Sequence, residues 1–99
     1  MLQEAGREYY TSPLTIHVLY YFGQKEGLEH HKLLEISDLC RLVKMNGLSV
    51  RLAQERYKNK DFEDCLQAAC AEIAGCDEIL TLDKNFAKHS GTKLKVRVV

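Results

Sequence analysis

The chain has 99 residues and a mass of 11.3 kDa, and 45% of it is apolar, which suits one globular domain with a small core. Lys+Arg and Asp+Glu both number 14 and the pI is about 6.9, which excludes a polybasic membrane anchor or a general nucleic-acid coat. One proline and six glycines exclude collagen-like and proline-rich classes, no stretch reaches the ~20 apolar residues of a membrane span, and MLQEAGREYY lacks the basic-then-apolar order of a secretory signal.

Residues 7–11, REYYT, are β-prone and end at the breaker pair Ser12-Pro13. The pattern predicts a helix over 14–22, with Ser12 as cap, Pro13 in the first position and Gly23 as the stop. Over 28–39, Leu33, Leu34, Ile36 and Leu39 form a loose helical stripe. Residues 40–45 suit a short strand, Asn46-Gly47 reads as a turn, and a helix is expected over 48–57. The clearest helix is 62–74, where Phe62, Leu66, Ala69 and Ile73 predict one buried stripe, Asp61 is a good N-cap and Gly75 a good stop. Residues 78–82 and 94–99 read as strands. Helices set between short β-prone runs imply an α/β fold with a mostly parallel sheet.

Cysteines stand at 40, 65, 70 and 76. They lie in apolar periodic segments and form no C-x-x-C, so reduced thiols in the cytoplasm are expected rather than disulfides or a zinc knuckle. The histidines are His17, His30, His31 and His89; the tandem pair has no carboxylate or Cys at ligand spacing.

The zero net charge is unevenly spread. Residues 61–83 hold Asp61, Glu63, Asp64, Glu72, Asp77, Glu78 and Asp83 and no Lys or Arg, whereas 84–99 hold Lys84, Lys88, Lys93, Lys95 and Arg97 and no acid. This can be a chance clustering of solvated charge, or an acidic site beside a basic rim suited to metal ions that meet a phosphate backbone. Asp61 and Asp64 stand three apart at a helix start, and Asp83 ends a predicted parallel strand, the sheet edge at which α/β proteins bind ligands. One chain reversal between that helix and that strand brings Asp64 and Asp83 together. Two converged carboxylates call for a proton or a hard, oxygen-seeking cation such as Mg²⁺ or Mn²⁺. The same acids also serve as ordinary capping, dipole and turn residues.

The run DFEDCLQAACAEIAGCDEILTLDKNF, residues 61–86, resembles the C-terminal half of a PIN domain. It has an acid before a small-residue helix, a Gly, an apolar strand ending in Thr-x-Asp, and a Phe. YTSPLTIHVLYYFG, residues 10–23, resembles the family's second strand and the helix after it, and LKVRVV its last strand. The resemblance implies an α/β/α sandwich with a central parallel sheet and a Mg²⁺- or Mn²⁺-dependent ribonuclease, often a toxin of a toxin–antitoxin pair. Carried over, Asp64 is similar to the family's third metal-site acid, Asp83 to its fourth and Asp61 to an auxiliary acid, while Thr81 matches the Thr of that strand. Lys84, Lys88 and Lys93 become candidate contacts for the RNA backbone.

Departures qualify what the resemblance implies. The family's first strand, with the first acid at its end, and the helix after it have no counterpart here. The position of the second acid is Val18; His17 beside it is about 100° out of phase on a helix. The expectation is therefore a PIN-like domain over 1–99 that is truncated or degenerate at its N-terminus, or whose gene start lies upstream of Met1. Weak or absent hydrolysis follows, because Mg²⁺ needs its carboxylates. The inner sheet edges left by a missing strand would drive repacking or strand exchange, as in a homodimer. The alternative function is a non-catalytic interaction module that binds an antitoxin or a second PIN-like protomer.

Overall fold

The computed structural model describes residues 7–99. Residues 1–6, the first part of the N-terminal stretch read above for a signal and of the domain assigned to 1–99, lie outside the described residues. The chain divides into two compact units, Met1–Val43 and Lys44–Val99. Each holds one parallel pair of short strands.

In the first unit the order is β1 (Tyr10–Thr11), α1 (Pro13–Lys25), α2 (His30–Asp38) and β2 (Arg41–Leu42). β1 and β2 pair in parallel with Tyr10 opposite Arg41. The Arg41 N–H donates to the Tyr9 carbonyl and the Val43 N–H to the Thr11 carbonyl, both at 2.8 Å. Buried Ser12 caps α1, its hydroxyl accepting from the Thr15 N–H at 3.1 Å, and Pro13 follows where no N–H is needed.

Gly23 does not stop the helix, which runs on to Lys25. It is instead buried within α1, where a Cβ would stand 2.5 Å from Cδ2 of Leu33. The missing side chain makes room for Leu33, the one buried residue of α2. Leu34, Ile36 and Leu39 are exposed, so the expected stripe narrows to that single anchor. His17 on α1 is exposed and Val18 half-buried.

The second unit runs α3 (Gly47–Arg56), α4 (Phe62–Ile73), β3 (Glu78–Thr81), α5 (Phe86–Ser90) and β4 (Lys95–Val98). Asn46-Gly47 opens α3 rather than forming a turn. The Asn46 side chain accepts from the Leu48 and Ser49 N–H groups, and the Ser49 hydroxyl takes the Asn46 N–H at 2.9 Å, closing a capping box. The buried face of α4 is Cys65, Ala68, Ala69 and Cys70. It is rotated from the expected stripe, since Phe62 and Ile73 are exposed. Small side chains let α4 approach α3 closely, and Ala53, Cys65 and Ala69 form the buried cluster with Leu52 and Leu66 against it. Arg56 and Glu72 clamp the same two helices with a bidentate pair at 2.6 and 2.7 Å, and the Thr92 hydroxyl adds a bond to Glu72 at 2.8 Å.

β3 and β4 are parallel, with Glu78 opposite Lys95 and Thr81 opposite Val98, and α5 lies in the crossover between them. Glu78 faces Arg97 at 3.2 Å and Lys95 at 3.9 Å across the pair. The mixed helix–strand order and the parallel pairing agree with the α/β expectation. Among the described residues the strands form two parallel pairs, β1–β2 in the first unit and β3–β4 in the second.

Candidate functional site

Asp61 is exposed and occupies the N-cap of α4, its Oδ1 accepting from the Asp64 N–H at 3.0 Å. Asp64 sits in the first turn, where the helix dipole favours a carboxylate. Asp83 lies two residues beyond the end of β3. Its N–H donates to the Thr81 hydroxyl at 3.0 Å, its Oδ1 accepts from the Asn85 N–H at 2.8 Å, and its carbonyl accepts from the Phe86 N–H at 3.1 Å. This Asx turn fixes the carboxylate as the chain leaves the strand for α5. Thr81 thus acts through the main chain of Asp83.

The start of α4 and the end of β3 meet, as one chain reversal requires. Asp64, Asp83 and His89 each place one donor atom within 4.8 Å of the others. Asp64 and His89 are half-buried and Asp83 is exposed. His89 Nδ1 stands 3.9 Å from Asp64 Oδ2, too far for a hydrogen bond. Asp61 is not in the cluster, yet it is close enough for its charge to act on Asp64. Burial pushes the Asp64 carboxyl above the usual carboxylate range, and the charges of Asp61 and Asp83 push it further, while His89 opposes them.

A divalent cation fits this donor set. Two carboxylates supply hard oxygen ligands, and the destabilised charge on Asp64 is what a cation would relieve. Lys84, Lys88 and Lys93 are exposed in the turn before α5, on α5 and in the loop before β4 respectively, whereas Lys95 and Arg97 reach Glu78.

The sequence offers His89 only as one of four histidines, because residues 84–93 carry no predicted element and stand out by their basic charge alone. The available signal is local: buried Phe86 and the left-handed Gly91 bracket a five-residue helix that carries His89 one turn after Phe86. The four cysteines are free thiols, and burial pushes each of them up, away from the reactive thiolate.

An α/β unit that gathers carboxylates at the C-terminal end of a parallel strand belongs to the class that binds ligands at that edge. The PIN domain model matches residues 2–91, and the chain belongs to the PIN-domain family. No curated protein and no solved structure matches it. Membership associates the chain with nuclease-type or RNA-related function in general. Among the described residues no helix is long and apolar enough to cross a membrane.

Proposed function

We propose that the chain is a metal-dependent endoribonuclease of weak activity, with Asp64 and Asp83 holding Mg²⁺ or Mn²⁺. The observation that carries this reading is the convergence of the two acids from the start of α4 and the end of β3. When bound, a divalent cation lowers the pKa of a coordinated water and offsets charge on a phosphodiester. Asp64 and Asp83 bind and orient, Thr81 holds Asp83 in place, and Asp61 caps the helix and adds negative potential as an auxiliary acid. Lys84, Lys88 and Lys93 draw the RNA backbone towards this edge. Activity is weak because two carboxylates hold Mg²⁺ less firmly than a fuller acid set. On this reading the protein works in the cytoplasm, as a toxin of a toxin–antitoxin pair, and its fold is the PIN-like sandwich.

Asp64→Asn in the purified chain should abolish metal-dependent RNA cleavage. Cleavage unchanged in that variant would sink the proposal.

Val18, at the place where the resemblance puts a second acid, favours another reading: a non-catalytic module that binds an antitoxin or a second copy of the chain. Calorimetric titration with Mn²⁺ separates the two, since heat of binding at one site supports the nuclease and its absence supports the module.

A further inference from the structure

We propose that His89 is a third ligand of the Asp64–Asp83 site, and that its imidazole biases the site towards first-row transition-metal ions over Mg²⁺. This rests on the reading that the two carboxylates hold a cation.

Three observations support it. The first is distance. One imidazole nitrogen and one oxygen of each carboxylate lie within 4.8 Å of one another. Ligands on opposite sides of one ion, at bonds of about 2.2 Å, are about 4.4 Å apart, so small side-chain rotations would bring all three onto one ion. The 3.9 Å between His89 Nδ1 and Asp64 Oδ2 is also not a formed hydrogen bond that an ion would have to break.

The second is anchorage. The His89 carbonyl accepts from the Asp61 N–H at 3.1 Å and from the Cys65 thiol at 3.7 Å, on either side of Asp64 in the chain. Its own N–H donates to the Asn85 carbonyl at 3.0 Å, and Gly91 ends α5 in the left-handed conformation at φ 64°. The imidazole therefore hangs from backbone tied to the helix turn that bears Asp64.

The third is chemistry. Mg²⁺ favours an all-oxygen shell, whereas affinity at a site with a nitrogen donor rises from Mn²⁺ through Co²⁺ along the transition series. Replacing one oxygen ligand by imidazole thus shifts preference without changing the acids.

The test is calorimetry of the full chain with Mn²⁺, Co²⁺ and Mg²⁺, on the unaltered protein and on His89→Ala, His89→Gln and Asp64→Asn, with pulsed EPR of the Mn²⁺ forms. Outer-shell changes alone cost 10–100-fold in affinity, so loss of a direct ligand should weaken Mn²⁺ and Co²⁺ binding by about tenfold or more. Mg²⁺ binding should change by less than about twofold. The nitrogen-14 coupling to Mn²⁺ should be present in the unaltered protein and absent from both His89 variants. The anchoring bonds use the main chain, so His89→Gln should keep the fold if His89→Ala does not. If Mn²⁺ binding survives both His89 changes with no nitrogen coupling at the start, while Asp64→Asn removes it, His89 is only a neighbour and the two-carboxylate site stands. If Asp64→Asn leaves Mn²⁺ binding unchanged, the underlying site fails and this inference fails with it.

Discussion

Asp61 and His89 are joined through the main chain, the Asp61 N–H donating to the His89 carbonyl at 3.1 Å. The bond ties the cap of α4 to the last turn of α5. It separates two roles at Asp61: its backbone docks α5, while its side chain caps α4. The acid next to the candidate site is thus structural whether or not its charge acts on an ion.

Asp61→Asn and Asp61→Ala should therefore behave differently. Asn keeps the capping oxygen, so stability in urea should stay within ~0.5 kcal/mol, and Mn²⁺ affinity should fall only a few-fold through the lost charge. Ala removes the cap and should cost about 1 kcal/mol. Equal stabilities for the two variants would show that the Asp64 N–H finds another partner.

Asp64→Asn should make the metal-free chain more stable at neutral pH. Burial and neighbouring acids raise the Asp64 pKa on folding. Such a group favours the folded state below its unfolded pKa, and that contribution disappears as pH rises through the raised folded value. At pH 7 the ionised carboxylate is thus a burden, and its removal should raise the free energy of unfolding by up to ~1 kcal/mol, read as a higher urea midpoint. Saturating Mn²⁺ should stabilise the unaltered protein and not the variant.

Glu72 should govern acid stability in the opposite sense. The hydrogen bond from Arg56 is the largest cause holding its carboxyl below the usual range, and Thr92 adds to it. That contribution is present above the unfolded Glu pKa and is lost as pH falls through the lowered folded value. The stability of Glu72→Gln should therefore fall less between about pH 5 and pH 3 than that of the unaltered chain. At pH 7 the variant should be about 1–3 kcal/mol less stable, because Arg56, only 17% exposed, keeps its charge without its partner. Denaturant midpoints across that range test both statements.

Gly23→Ala sets two effects against each other. Alanine gains up to ~1 kcal/mol of helix propensity over glycine. The new Cβ would stand 2.5 Å from a methyl of Leu33, which is itself 1% exposed and has little room to withdraw. Overpacking of this kind costs about 1–3 kcal/mol, so the net effect should be destabilising. Leu33→Ala placed in the same chain should make Gly23→Ala neutral or favourable, measured as a double-mutant cycle.

Legibility in the sequence followed how local each signal was. Ser12-Pro13 and Asp61 announced helix starts through short-range capping chemistry, and both caps are present. The meeting of Asp64 and Asp83 could be read because it needs only one chain reversal. Gly23 misled, since a glycine near a helix end looks like a stop until its packing partner, Leu33, is known. Asn46-Gly47 misled because turns and caps use the same asparagine oxygen. The stripe on α4 was misplaced because Cys65, Ala68 and Cys70 carry weak hydrophobic signals, yet their small size is what admits α3. α5 is too short for any periodicity to register, so nothing in the sequence places His89 beside Asp64.

The acids and the imidazole that meet at the end of β3 all come from residues 64–89. Loop-closure entropy grows only slowly with the length of chain to be closed, and this loop is short and already filled by α4 and β3. The candidate site therefore depends on near-neighbour contacts, which form fast relative to distant strand pairings. In refolding from urea, a Mn²⁺ signal at this edge should recover in the earliest kinetic phase that builds α4.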